Sequence, residues 1–333
     1  MGKITEEKQV LLSDYQVRKS KKQKSKFIEY VKEKARKNSW NVNVEKSGLL
    51  IKNRNIIVGD VDKAKMIFTA HYDTCAISPF PNRIWIKNPI MYWVYQTLIV
   101  AITLAFGFAV SLLFAVCIGT ADYALIVFEG ALVLLLIQML FGFRNGKTAN
   151  DNTSGVLTLL TAIEKIPRNE RDSVAFVFFD NEEKGLFGSS HFKKMHSSLK
   201  CKYLINFDCV GEGNNVFLFY NKKVDKEGIT ELQNAFPKTN EYNIQSIRNR
   251  ALNFPSDQMH FSNGIGVTTA RKFLFGGYTV GRLHTMRDKK LEENNIKHLV
   301  LWIKKVVKED NEKEKERIKN KNSGRKKKHR KVT

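Results

Sequence analysis

The chain is poor in cysteine, with four in 333 residues. No two of them form a CxxC pair, so the sequence has neither the cysteine framework of a small disulfide-rich domain nor a structural zinc knuckle. This pattern favours a reducing compartment. Residues 1–37 also lack the apolar core of a secretory signal, so we expect no export through a cleaved leader.

Two common catalytic motifs are missing as well. Gly146-Lys147-Thr148 resembles the end of a phosphate-binding loop, but Phe141 occupies the position where that motif requires a glycine. A GxSxG nucleophile elbow is absent from the sequence. These two absences argue against a nucleotidase and against a serine hydrolase.

Acidic residues are too few to balance the basic ones. There are 56 Lys and Arg against 33 Asp and Glu, which gives a formal net charge of +23, and much of the excess lies in residues 19–37 and 304–331. A basic surface favours nucleic acid or the anionic cytoplasmic leaflet of a membrane. Because the basic run at 324–331 has no interleaved aromatics, we expect no specific nucleic-acid partner and place the tail on anionic lipid.

Two long apolar runs stand out against this charged background. Asn88 to Ala121 are 34 residues without a charge, and only Glu129 interrupts a second run from Tyr123 to Phe143. Each run is long enough to cross about 30 Å of hydrocarbon. A pair of core helices in a soluble fold is the alternative, but the length of the runs favours a transmembrane hairpin over residues 88–143, with residues 90–143 in the bilayer.

The charges beside the hairpin predict its orientation. Arg83 and Lys87 precede the first run, Arg144 and Lys147 follow the second, and the short connection carries only Asp122. Basic residues concentrate on the cytoplasmic side of a membrane. We therefore expect a plasma-membrane protein with two spans and with the rest of the chain in the cytoplasm.

The remaining sequence alternates between buried strands and amphipathic helices. This alternation predicts an α/β fold with a mostly parallel mixed sheet flanked by helices on both faces. We expect an N-terminal helix and the first part of the α/β domain in residues 1–87, its remainder in 144–307, and a basic disordered tail in 308–333. The predicted buried strands are 66–70, 174–179, 203–207, 216–220 and 266–270.

Polar side chains follow three of these strands where each strand ends. His71 and Asp73 come after the first, Glu182 and Glu183 after the second, and Asp208 after the third. In sheets of this kind, functional groups gather at the carboxyl ends of the strands. We therefore expect these five side chains to lie close together.

Two further residues extend the set. Asp151 opens a predicted helix, where an ordinary N-cap is the simplest explanation, and His284 lies in a late loop. His71 and His284 together with Asp151, Glu183 and Asp208 form a nitrogen and oxygen ligand set that suits zinc. The convergence of five such residues predicts a metal site more strongly than any one of them.

The order and spacing of these segments resemble the M28 family of zinc aminopeptidases. The resemblance covers roughly residues 65–304, apart from the hairpin, which stands where soluble members have a short loop. It rests on His71-x-Asp73, Ala149-Asn150-Asp151-Asn152-x-Ser154-Gly155, Phe179-Asp180-x-Glu182-Glu183-x-Gly185-Leu186-x-Gly188-Ser189, Phe207-Asp208 and His284-Thr285-x-x-Asp288.

The resemblance implies two zinc ions in each chain. Asp151 would bridge both metals, His71 and Asp208 would complete one site, and Glu183 and His284 would complete the other. Two metals so placed can activate a shared water and polarise the scissile carbonyl.

The resemblance also implies roles for three residues that bind no metal. Glu182 would be the general base, and Asp73 would orient a ligand histidine. Tyr278, in a glycine-flanked segment, is a candidate oxyanion donor, with a plain turn residue as the alternative. The expected activity is release of N-terminal residues from peptides; the alternative is a catalytically inactive membrane receptor or scaffold. The sequence indicates no oligomeric state.

Overall fold

The computed structural model describes residues 2–49, 51–249 and 254–329. Within them the chain forms eight α-helices and ten strands. The helices are α1 Gly2–Asp14, α2 Lys21–Lys37, α3 Pro89–Ile118, α4 Ala124–Phe141, α5 Ser154–Lys165, α6 Phe187–Met195, α7 Lys226–Ala235 and α8 Glu293–His329. The strands are β1 Val42–Ser47, β2 Asn53–Val58, β3 Met66–His71, β4 Asn82–Ile86, β5 Val174–Phe179, β6 Tyr203–Phe207, β7 Asn215–Tyr220, β8 Asn243–Arg248, β9 Gly264–Lys272 and β10 Tyr278–Leu283.

The strands form one mixed sheet in the order β1-β2-β5-β3-β6-β9-β10-β4, with β7 paired to β9 and β8. The central strands β5, β3, β6 and β9 run parallel, whereas β1, β2, β10 and β4 add antiparallel pairs at the edges. Parallel pairing brings the carboxyl ends of β3, β5 and β6 to one edge of the sheet. The expected mixed sheet flanked by helices is confirmed.

The central strands form because almost all of their residues are apolar and buried. β3 and β5 are buried at every position, as strands are when both faces of the sheet are covered. Phe68 and Phe176 face the core that α5 and α8 cover, whereas Phe179 packs on the opposite face against Phe192 of α6. Two apolar layers therefore hold the sheet rigid beneath its edge.

Two helices, α3 and α4, leave the domain as an antiparallel pair. They have mean hydropathies of 2.6 and 2.4 and are long and apolar enough to cross a membrane, by length and composition alone. At 1.5 Å per residue, α3 is about 45 Å long and α4 about 27 Å. Gly107 lets Phe128 and Leu132 approach closely, and Ser111 Oγ donates to the carbonyl of Ala124 at 2.6 Å.

The C-terminal segment differs from its prediction. A disordered tail was expected from residue 308, but α8 continues to His329, and residues 330–333 lie outside the described part. Lys308 lies 3.8 Å from Glu312 one turn later, a spacing that supports a charged helix. Lys313 also reaches Glu231 of α7 at 2.8 Å. These ion pairs support the part of α8 that follows Val307, where the sequence has almost no apolar residues.

Leu49 and Ile51 belong to no strand, and Leu50 lies outside the described residues. The antiparallel pairing of β1 with β2 places this segment at the turn between them. Gly48 adopts a φ of +85° there, and Leu49 is 96% exposed.

Trp302 is the largest of the side chains that pack the last helix, α8, into the core. Trp302 is fully buried between Phe207 and Phe236, and its indole nitrogen donates to the carbonyl of Leu232 at 2.8 Å. We expect Trp302→Ala to lower the free energy of unfolding by about 3–5 kcal/mol, because it leaves a large cavity. Its neighbour Leu301 is 43% exposed, so Leu301→Ala is the matched control. Chemical denaturation of the detergent-solubilised chain measures both; equal losses would contradict this packing.

Candidate metal centre

The predicted site residues meet at the carboxyl edge of the parallel strands. His71 ends β3, and Asp208 follows β6, which pairs with β3 in parallel. Glu182 and Glu183 follow β5, the parallel neighbour of β3 on its other side. The order of the strands therefore places all four side chains around one point.

Asp151 lies at the centre of this arrangement. Its Oδ1 is 3.3 Å from His71 Nε2, and its Oδ2 is 3.1 Å from His284 Nε2. His71 Nε2 also lies 3.7 Å from Asp208 Oδ1, and His284 Nε2 lies 3.1 Å from Glu183 Oε2. All five predicted ligands are thus together, in two halves that share one carboxylate.

Asp73 supports the site from behind. Its two carboxylate oxygens accept the backbone N–H groups of Glu182 at 3.0 Å and Glu183 at 3.3 Å. Its Oδ1 also lies 3.6 Å from His71 Nδ1. One buried carboxylate therefore orients an imidazole and the loop that carries both glutamates.

Asp288 performs a similar task for Asp151. Its carboxylate accepts the backbone N–H groups of Asn150 at 2.8 Å and Asp151 at 2.9 Å, and burial raises the pKa of Asp288 to about 7. Sequence reasoning included Asp288 in the motif but gave it no role. Its spacing from His284 could have indicated one, because a separation of four residues places both in the same loop.

Local backbone conformations at the site are unusual. Asn181, Cys209 and His284 all have positive φ, at 54°, 55° and 59°. Such conformations cost about 1–3 kcal/mol each in residues other than glycine and concentrate at functional sites. Each of the three is a ligand residue or the neighbour of a site residue.

Unpaired acceptors show that the cluster suits a cation. Glu183 Oε1 and Asp208 Oδ1 are buried without a hydrogen-bond partner among the described residues. A buried unpaired carboxylate oxygen is costly unless a cation neutralises it. Two imidazoles and three carboxylates are also the ligand types that zinc prefers.

The ionisation of the cluster also indicates a cation-binding site. Burial alone would lower the pKa of His71, but the facing carboxylates, Glu182 foremost, raise it well above its usual value. Burial raises the pKa of Asp151, yet hydrogen bonds and charge from His284 and His71 outweigh burial and hold it below the usual range. Without metal, protons on the imidazoles neutralise the carboxylates, and metal binding would release them.

Two cysteines adjoin the cluster without belonging to the predicted ligand set. Cys75 lies beside Glu183 and His284, and Cys209 beside Asp151 and Asp208. Burial raises the pKa of both thiols. A thiol that keeps its proton is a poor zinc ligand, so the nitrogen and oxygen set remains the favoured one.

The cluster opens into a cavity of about 310 Å³. Arg83 and Trp85 of β4 form one wall, with the guanidinium 5.4 Å from the centre of the indole ring. Tyr92 and Gln96 from the first turns of α3 complete that side. One of the two long apolar helices thus contributes directly to the space where a substrate would bind.

Tyr278, the candidate oxyanion donor, does not join the cluster. It opens β10, whose antiparallel pairing with β4 places it opposite Ile86. Its hydroxyl accepts from Gln245 Nε2 at 3.1 Å, and its ring packs against Phe217. The side chain is therefore a structural contact between strands rather than part of the cavity wall.

Comparison with known families agrees with this geometry. Residues 138–303 match the model of peptidase family M28, which confirms the resemblance inferred from the motifs. None of the curated protein sequences matches the chain.

Several solved structures share the fold. The LapA aminopeptidase of Legionella pneumophila is 14% identical with a TM-score of 0.54, over 91% of this chain and 67% of that one. A Zn-dependent exopeptidase from Parabacteroides distasonis is 13% identical with a TM-score of 0.57, over 91% and 94%. The glutaminyl cyclase of Porphyromonas gingivalis is 15% identical with a TM-score of 0.58, over 91% and 95%. At such identities the likeness establishes the fold alone.

The shared carboxylate predicts how metal content responds to mutation. We expect the purified chain to carry about two zinc ions, as two histidines and three carboxylates allow, and Asp151→Ala to reduce occupancy of both positions together. Elemental analysis after dialysis against zinc measures this. The control is Asp172→Ala, an exposed aspartate outside the site. Zero zinc in the unmodified chain, or loss of only one ion in Asp151→Ala, would contradict the shared role.

Proposed function

We propose that this chain, whose residues 138–303 match the model of peptidase family M28, is a membrane-anchored metallopeptidase that uses two zinc ions to release N-terminal residues from peptides. The observation that carries the proposal is the pair of half-sites joined by Asp151. A second support is Glu182, a carboxylate beside the ligands that the proposed metal coordination does not use.

The residues present fit the metals that the family implies. His71, Asp151 and Asp208 would hold one zinc, and Asp151, Glu183 and His284 the other. Zinc, when bound there, would polarise the scissile carbonyl and lower the pKa of water.

Glu182 performs the proton transfer in this proposal. Its carboxylate lines the cavity and lies close to the imidazole of His71 and the carboxylate of Asp208. Without metal, burial raises the pKa of Glu182 well above its usual value, and a zinc ion beside the carboxylate would lower that pKa. Glu182 would take a proton from the attacking water and pass it to the leaving amine. Asp73 fixes the backbone N–H of Glu182, so the base is held in place.

Membrane anchoring through residues 90–143 is supported by the surface of α3 and α4. Most of their large apolar side chains are exposed, among them Phe108 and Leu134 at 65% and 67%. In water, two helices with such a surface would present an apolar patch far larger than soluble proteins tolerate. The basic residues that flank both ends of the hairpin favour a plasma-membrane protein whose metal centre lies on the cytoplasmic side.

A catalytically inactive receptor or scaffold remains the competing function. A scaffold has no need of Glu182 or of two half-sites, whereas the structure retains both. The discriminating experiment is a screen of aminoacyl fluorogenic substrates on the purified chain, with and without a chelator. We expect hydrolysis that the chelator abolishes and zinc restores. Activity that survives metal removal would defeat the proposed mechanism, and zinc binding without any hydrolysis would favour the scaffold.

The two adjacent glutamates should separate metal binding from proton transfer. Glu183→Gln should lose zinc, because a neutral amide is a poor ligand. Glu182→Gln should keep both metals while kcat falls by about 10²- to 10⁴-fold with little change in KM. Zinc content and steady-state kinetics on both variants measure this. Near-full activity in Glu182→Gln, or zinc loss in that variant alone, would overturn the assignment.

The orientation of the hairpin predicts a labelling pattern. Native Cys117 is exposed near the end of α3, so the experiment starts from a Cys117→Ser chain. We expect Thr120→Cys to react with an impermeant maleimide on intact cells, because the connection lacks basic residues. Ser323→Cys should react only after permeabilisation. The reverse pattern would place the metal centre outside the cell.

A further inference from the structure

A second cavity, about 630 Å³ in volume, is strongly basic and is lined in part by Asp180, Asn181 and Lys184, the residues directly before and after the two glutamates. We define it as the basic cavity. Seven basic residues and one acid line its wall. They are Lys19, Lys21, Lys24, Lys46, Lys52, Arg54, Lys184 and Asp180.

The single acid leaves little negative charge for the other cations. Asp180 Oδ1 binds buried Lys24 at 2.5 Å, and its Oδ2 accepts the backbone N–H of Arg54 at 3.0 Å. Among the described residues, Lys21, Lys46 and Lys52 have no ion-pair partner. Like charges held around one space repel each other unless an anion lies between them.

The position of the basic cavity indicates where such an anion comes from. Lys19 Nζ donates to the carbonyl of Leu140 at 3.1 Å, and Lys184 Nζ lies 5.6 Å from the ring centre of Phe141. Both contacts are with the last residues of α4. The wall of the cavity therefore touches the chain where the second apolar helix enters the domain.

We propose that the basic cavity binds the phosphorylated headgroup of an anionic membrane lipid. The inference rests on the proposed membrane placement of α3 and α4. With α4 in the bilayer, the cavity faces the headgroup layer, where anionic lipids attract clustered lysines. Phosphate oxygens would accept from several ammonium groups at once. Its volume of about 630 Å³ distinguishes the basic cavity from a flat basic patch, which attracts lipid only through its electrostatic potential.

The basic cavity also lies one residue from the metal centre. Lys184 follows Glu183 directly, and Lys24 donates to Asn181 Oδ1 at 2.8 Å as well as to Asp180. A bound headgroup would therefore contact the same loop that carries the catalytic glutamates.

The test measures binding of fluorescent short-chain phosphatidylinositol bisphosphate to the full chain in detergent, by polarisation. Lys46 and Lys52 are exposed and distant in sequence from every metal ligand, so Lys46→Gln with Lys52→Gln is the test variant. Each lysine near a lipid surface contributes about fivefold in affinity, so we expect about 25-fold weaker binding. The control, Lys222→Gln with Lys223→Gln, removes the same charge from an exposed turn and should stay within about twofold.

Two competitors identify the source of the phosphate. Phosphatidylcholine of the same chain length should not displace the probe, and inorganic phosphate should do so only at far higher concentration. Equal binding by the test variant, equal loss in the control, or displacement by inorganic phosphate as effectively as by the lipid would overturn the proposal. An unchanged melting temperature of the test variant shows that it is folded.

The outcome is independent of the proposed peptidase activity, because polarisation requires neither zinc nor turnover. Alkaline carbonate extraction of membranes reports the placement of the hairpin separately. A chain that carbonate extracts but that still binds the probe through Lys46 and Lys52 would refute the anchor alone. An integral chain whose test variant binds normally would refute the headgroup site alone.

Discussion

Both imidazoles of the centre approach one carboxylate, that of Asp151, and the geometry of the rest depends on where it stands. Asp288 fixes its backbone from one side, and α5 begins just beyond it. His71 is fixed by β3 and His284 by the loop after β10, so the shared carboxylate joins a buried strand to a late loop. A shift of that carboxylate would disturb both half-sites at once.

Buried charges in the N-terminal segment support the same edge of the sheet. Arg18 is fully buried; its Nε donates to the carbonyl of Tyr72 and its NH1 to Thr153 Oγ1 at 3.2 Å. Lys24 likewise holds Asp180 and Asn181 before the two glutamates. Such charges are tolerated in the interior because each is hydrogen-bonded. From sequence they are indistinguishable from the exposed lysines around them.

The ligands at strand ends could be predicted from the strand pattern, whereas the roles of Asp151 and His284 came from the resemblance to the M28 family. Buried apolar runs identify β3, β5 and β6 in the sequence. Because parallel pairing brings the carboxyl ends of these strands together, His71 and Asp208 can be placed near each other even when the register of the strands is unknown. Tyr278 could not be placed in this way, since its position depends on the antiparallel pairing of β10 with β4, two segments far apart in sequence. The helical tail was missed for the same reason. The contact between Lys313 of this helix and Glu231 is polar and joins residues far apart in sequence. The tail also lacks the apolar periodicity from which a helix can be predicted.

The length of α3 has a consequence for the cavity. At about 45 Å, the helix exceeds a hydrocarbon layer of about 30 Å, and such helices adjust by tilting. Because Tyr92 and Gln96 on its first turns wall the cavity, a change in tilt would move that wall relative to Glu182. With α3 in the bilayer, membrane thickness would help to determine the shape of the cavity beside the metal centre, although the acyl chains would contact only the hairpin.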